Sequence, residues 1–192
     1  IKFHAGIKAG IQARWDMRVR KAPLRTRCYY GTSTSGKSED CYEWCRNQGL
    51  VYMIVNPKLS NLRQQCLKFP NATALIIDEF TGSYPIQSLK TVLDSGNAQS
   101  YFEQRYEDVL NNFEAIIILS NHKPWTWYPK QDPEDLYAIW RRLDVIVQYK
   151  GRWKLNTALL NHGVTKTTLS GPRDIDGNFH DALPAYWEID SQ

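Results

Sequence analysis

Residues 31–38 read GTSTSGKS, a match to the phosphate-binding pattern G-x-x-x-x-G-K-[ST]. Gly31 and Gly36 permit the tight turns that let successive backbone N–H groups converge on phosphate oxygens. Lys37 supplies a positive charge for the β- and γ-phosphates of ATP, and the Ser38 hydroxyl is a ligand for Mg²⁺. Thr32, Ser33, Thr34 and Ser35 complete the phosphate-binding loop. Three of them, Ser33 to Ser35, place hydroxyls where glycine is common and so stiffen it. Arg27-Cys28-Tyr29-Tyr30 ahead of the loop read as a strand. Behind it, Ser38, Glu39 and Asp40 open a helix with Cys41, Trp44 and Cys45 on one face, its positive end turned toward the phosphates. Strand before and helix after separate this pattern from a chance glycine-serine loop.

A second group of residues has the right chemistry to work beside that loop. Asp78-Glu79 follow the unbroken apolar run Ala74–Ile77, at the strand end where open α/β sheets bind ligands. Adjacent carboxylates repel unless a cation lies between them. With a phosphate loop about 40 residues upstream, that cation is Mg²⁺, held by Asp78 beside Ser38, while Glu79 faces the attacking water as general base. An exposed acidic turn is the plainer alternative. A second apolar strand, Ala115–Leu119, ends in Ser120-Asn121. As a neighbour in the same sheet it would bring the Asn121 amide to the γ-phosphate; alone, Asn121 would be an ordinary turn residue. Arg141-Arg142 fall on an expected helix and are either a solvated pair or a source of the guanidinium that phosphoryl transfer takes from a neighbouring subunit.

The elements that position these residues follow from pattern. Apolar runs at Leu50–Val55 (expected as a buried strand), Ala74–Ile77, Ala115–Leu119 and Val145–Tyr149 join the strand before the loop, and Ile86–Leu93 reads as a helix. Pro57–Phe69 is a polar helix or loop, and Tyr101–Tyr106 with Glu107–Leu110 suggest a hairpin. Alternating β and α segments predict a doubly wound α/β fold with a five-stranded, mostly parallel sheet. Ile7, Ile11, Trp15 and Val19 recur every four residues, one stripe of a helix that needs something to pack on. Beyond Gly151 the chain turns polar and shows little legible chemistry.

The 192 residues suffice for one such domain with a small appendage, and 42% hydrophobic and 12% aromatic content supports a packed core. No apolar run reaches the roughly 20 residues of a membrane helix. The chain opens at Ile1 with no secretory signal, the start expected of a fragment. Cys28, Cys41, Cys45 and Cys66 form no metal-ligand pattern, and Cys41 and Cys45, one turn apart, fit a buried helix face in a reducing compartment. Residues 1–27 carry eight lysines and arginines against Asp16 alone, so the net +4 of the chain hides a basic arm on an acidic body. Such an arm suits nucleic acid, an acidic neighbouring subunit, or a merely solvated helix face.

Taken together, Gly31–Ser38, Asp78-Glu79-Phe80 with Gly82 and Pro85, Ile117–Pro124 with Trp127-Tyr128, and Leu136–Arg142 resemble a superfamily 3 helicase domain. More narrowly they resemble the replication-associated proteins of circular single-stranded DNA viruses, the circovirus type especially, over residues 20–150. The resemblance implies an AAA+-like fold, a hexameric ring with ATP sites between subunits, and 3′-to-5′ translocation on single-stranded DNA in the host nucleus. It divides the chain into a helical oligomerisation segment (1–22), an ATPase domain (23–150) and a C-terminal extension (151–192). A nicking endonuclease would precede this part in the full-length protein, and no HxH motif marks one here. It also implies a DNA-gripping hairpin between the acidic pair and Asn121, with Arg105 of Glu103-Gln104-Arg105-Tyr106 at the tip where circoviruses usually show lysine. Consecutive helical residues diverge by about 100 degrees, so one arginine would act in trans while the other pairs locally with Asp144 or Glu134; the resemblance favours Arg142 as the residue acting in trans. The competing reading is a nucleotide-dependent switch or scaffold that assembles without unwinding DNA, which would need no cationic hairpin.

Overall fold

The computed structural model describes residues 6–7, 9–11, 13, 15, 20, 23–96, 100–103, 108–151 and 165–169. In chain order the strands are β1 (Arg25–Gly31), β2 (Tyr52–Val55), β3 (Ala74–Ile77), β4 (Tyr101–Phe102), β5 (Val109–Leu110), β6 (Ala115–Ser120), β7 (Val145–Lys150) and β8 (Thr165–Leu169). The helices between them are α1 (Lys37–Asn47), α2 (Leu62–Lys68), α3 (Ile86–Val92) and α4 (Pro133–Trp140). The sheet order is β2-β3-β6-β1-β7-β8, with β4 and β5 forming a separate two-stranded ribbon. All pairs in the large sheet are parallel except β7–β8.

Every residue of β3 and of β6 is buried, because period-2 alternation sends successive side chains to two covered faces. Leu75, Ile77, Ile116 and Ile118 join Cys28 and Tyr30 on one face, beneath Leu62 and Cys66 of α2, Leu89 of α3, and Ile139 and Trp140 of α4. Ala74, Ile76, Ile117 and Leu119 join Tyr29 on the other, beneath Cys41 and Cys45 of α1. All four cysteines are buried free thiols, and no helix among the described residues is long and apolar enough to cross a membrane.

Two features differ from the expectation. The sheet has six strands rather than five, because the threonine-rich TKTTL of β8 adds antiparallel to β7. Its exposed Thr165, Lys166, Thr167 and Thr168 carry no apolar signal, as befits a polar edge. At the opposite margin β2, expected to be buried, is an edge strand with Ile54 39% exposed.

The described residues between 6 and 15 are helical. Their stripe is not uniformly buried: Trp15 is 1% exposed while Ile7 is 50% exposed. Trp15 donates its Nε1–H to the Leu110 carbonyl at 3.0 Å, and its ring meets Phe113 edge-on at 5.0 Å. Its own carbonyl accepts from the Asn112 amide at 2.6 Å. Arg20 adds a bond from its guanidinium to the Asn111 carbonyl at 3.0 Å, so the described residues of the segment are anchored to β5 and the β5–β6 connection.

Candidate nucleotide site

Three strand ends converge at one edge of the sheet. Tyr30 of β1 lies beside Ser120 of β6, and Ile77 of β3 beside Ile118, so Gly31, Asn121 and Asp78 emerge at the same carboxyl edge. The interposed β6 keeps the loop-bearing β1 one strand away from the acid-bearing β3.

The phosphate loop is braced from within. Gly31 is required by close approach, since a Cβ there would lie 2.1 Å from the Tyr149 carbonyl oxygen of β7. Lys37 is 8% exposed. Its Nζ donates to the carbonyls of Gly31 (2.9 Å) and Thr32 (2.7 Å) and to Asn121 Oδ1 at 3.1 Å, with Ser35 Oγ at 3.4 Å. Burial lowers the pKa of this ammonium and the nearby Asp78 carboxylate opposes that shift. One cation thus ties β1 to the end of β6 within electrostatic reach of β3. Helix α1 starts at Lys37, one residue before the expected Ser38, with Gly36 (φ 87) as its N-cap and no side-chain cap. First-turn N–H groups without a capping side chain are suited to an anion. Thr32, Ser33 and Thr34 are exposed, and Ser38 is half-buried in the first turn.

The acidic loop is held differently. Asp78 is half-buried and its Oδ1 accepts the Glu79 N–H at 2.9 Å. Glu79 is exposed and sits at φ 54, left-handed backbone that is unfavourable for a residue with a Cβ. Phe80 then docks on the end of β6, its N–H donating to the Leu119 carbonyl at 2.9 Å and its carbonyl accepting the Ser120 hydroxyl at 2.6 Å. Its ring meets Trp127 edge-on at 4.8 Å. Gly82 (φ 82) presses against the Trp127 backbone, where a Cβ would lie 2.0 Å from the carbonyl oxygen. Tyr128 donates its hydroxyl to the Tyr84 carbonyl at 2.5 Å. Sequence reasoning named Ser120, Phe80, Gly82 and Trp127 without seeing that they lock two loops together. The signal available was a hydroxyl at the end of an apolar strand followed by an aromatic cluster.

The arginine pair lies just past α4, Arg141 being its C-cap. Arg142 is engaged locally, donating to the Ala138 carbonyl at 2.9 Å and pairing with Asp94 at 3.4 Å. The partners expected for a locally paired arginine, Asp144 or Glu134, are not used. Asp144 accepts the Thr26 N–H at 2.7 Å, and Glu134 sits in the first turn of α4. Arg141 is exposed, its guanidinium 4.7 Å from the Tyr137 ring centroid. Arg105 lies outside the described residues; β4 and β5, which flank it in sequence, pair antiparallel with Tyr101 opposite Leu110.

Among the described residues no group of three or more His, Cys, Asp or Glu side chains could hold a metal ion. A Mg²⁺ arriving with phosphates needs no such group, since it takes one or two protein ligands and keeps its waters. Ser38 and Asp78 fit that requirement. No protein-family model matches the chain, and no curated protein matches it.

Proposed function

We propose that this chain is an AAA+-like ATPase domain of the superfamily 3 helicase type. In this reading it hydrolyses ATP at the interfaces of a hexameric ring and moves 3′-to-5′ along single-stranded DNA during replication of a circular viral genome. The observation that carries the reading is the Lys37–Asn121 contact of 3.1 Å, made across β1 and β6 with Asp78 on the next strand. Phosphate cradle, carboxylate pair and polar amide from three parallel strands form the set that phosphoryl transfer to water requires.

Residues 31–38 bind the triphosphate through backbone N–H groups and Lys37. Ser38 and Asp78 would hold Mg²⁺, which supplies charge neutralisation on the phosphates. Glu79 takes the proton of the attacking water and Asn121 orients the water against the γ-phosphate. Arg141, exposed where Arg142 is tied to Asp94, is the cation that reaches a neighbouring subunit. Arg105 grips the DNA backbone at the hairpin tip. The half-exposed Ile7 on a helix anchored by Trp15 suits a segment that packs on another copy.

The test is steady-state ATP hydrolysis with and without single-stranded DNA, alongside negative-stain imaging. DNA-stimulated turnover and six-fold rings are expected. Turnover without DNA stimulation, in assemblies that do not unwind, would favour the nucleotide-dependent switch. Absence of nucleotide binding would reject both.

A further inference from the structure

The left-handed backbone of Glu79 persists only because its surroundings over-determine it. The restraint comes from the next residue rather than from Glu79 itself. Phe80 is wholly buried, and both its N–H and its carbonyl are taken by the end of β6. The Ser120 hydroxyl that holds the Phe80 carbonyl is 1% exposed. It also accepts the His122 N–H at 3.0 Å and the Trp127 Nε1–H at 3.1 Å. One donated and two accepted bonds exhaust a hydroxyl, so its orientation is fixed. Ser120 immediately precedes Asn121, whose Oδ1 is held by Lys37. A single buried hydroxyl is thus bonded to the residue after the carboxylate and belongs to the segment that carries the amide.

The geometry points to Ser120 as a positioning residue for ATP hydrolysis. It sets the direction of the Glu79 carboxylate relative to Asn121 by holding the Phe80 carbonyl, and it touches no substrate itself. This rests on Glu79 being the general base. A displacement of a catalytic group by about 1 Å can lower the rate on the order of a hundredfold, so loss of the hydroxyl should appear in kcat rather than in nucleotide affinity.

The experiment measures kcat, KM for ATP and nucleotide affinity in Ser120→Ala, in Glu79→Gln and in the double variant. Ser120→Ala should lower kcat by roughly ten- to a hundredfold with KM and affinity held. Added to Glu79→Gln it should lower kcat no further, because there is no base left to aim. Losses that multiply in the double variant, or a raised KM with kcat unchanged, would overturn the inference. If Glu79→Gln alone leaves turnover intact, the base assignment fails, and the positioning role falls with it for that separate reason. Trp127→Phe serves where Ser120→Ala does not fold: it keeps a ring against Phe80 but removes one donor to the hydroxyl. The same pattern, with a smaller loss, is expected, and multiplicative losses there would equally overturn the proposal.

Discussion

The phosphate loop and the acidic loop lie at the same edge of the sheet and are built on opposite plans. In the first, one cation gathers near and distant partners: Lys37 bonds carbonyls five and six residues back and the Asn121 amide oxygen 84 residues on, while the exposed Thr32 donates its hydroxyl to the Gly151 carbonyl. In the second, the contacts are long-range and buried, with Ser120 bonded to a carbonyl 40 residues away and Phe80 sealed against Trp127. The proposed triphosphate cradle is secured chiefly by one charged side chain, Lys37. The loop that carries Glu79 is secured by a hydroxyl with all three of its bonds taken and by the edge-on contact of Phe80 with Trp127. Under the proposed function, a cradle held by a cation and a carboxylate whose neighbouring backbone is held by a saturated hydroxyl form a sound division of labour for phosphoryl transfer, where catalysis is mostly positioning and electrostatics.

The largest effect expected comes from outside both regions and tests whether they suffice alone. Arg141→Ala should lower ATP turnover by roughly 10³-fold or more if it supplies charge to a neighbouring site. Mixing it with Lys37→Ala should regain activity at interfaces that pair an intact loop with an intact arginine. Complementation by Arg142→Ala instead would assign the role to Arg142 and require its pairing with Asp94 to open.

Next comes the acidic loop itself. Glu79→Gln should lose about 10²-fold or more in kcat while still binding ATP, as expected when only a general base is removed. Lost nucleotide binding would move Glu79 into the metal site.

The difference in packing predicts stability effects of opposite sign. Gly82→Ala combines positive φ with a Cβ driven into the Trp127 carbonyl, so it should cost about 2 kcal/mol or more, read as a lower urea midpoint. Thr34→Gly relieves a left-handed threonine at φ 61 on an exposed loop. Offset by the added chain entropy of glycine, the gain should be no more than about 1 kcal/mol. A tolerated Gly82→Ala, or a strongly destabilising Thr34→Gly, would break the comparison.

The same contrast explains what could be read from sequence. The meeting of the phosphate loop, the acidic pair and Asn121 at one sheet edge is legible because each follows a short strand, apolar in β3 and β6, and the motif residues lie within a few positions of its end. The two-faced burial of β3 and β6 is legible for the same reason. YMIV of β2 reads no differently from a central strand, because a tetrapeptide does not report whether it has one neighbour or two. TKTTL of β8 has no apolar pattern, and its place is fixed only by pairing with β7. Ser120 and Arg142 find partners 40 and 48 residues away, and no periodicity connects such positions. What stayed hidden was the bracing.

The most direct test of the account is ATP turnover in the wild-type chain, with and without single-stranded DNA, beside Lys37→Ala. The account predicts hydrolysis that rises on adding DNA, a stimulation that weakens as salt rises because bound phosphates release counterions, and turnover reduced by roughly 10²- to 10³-fold or more in a Lys37→Ala variant that remains folded. Equal turnover in wild type and Lys37→Ala would contradict it.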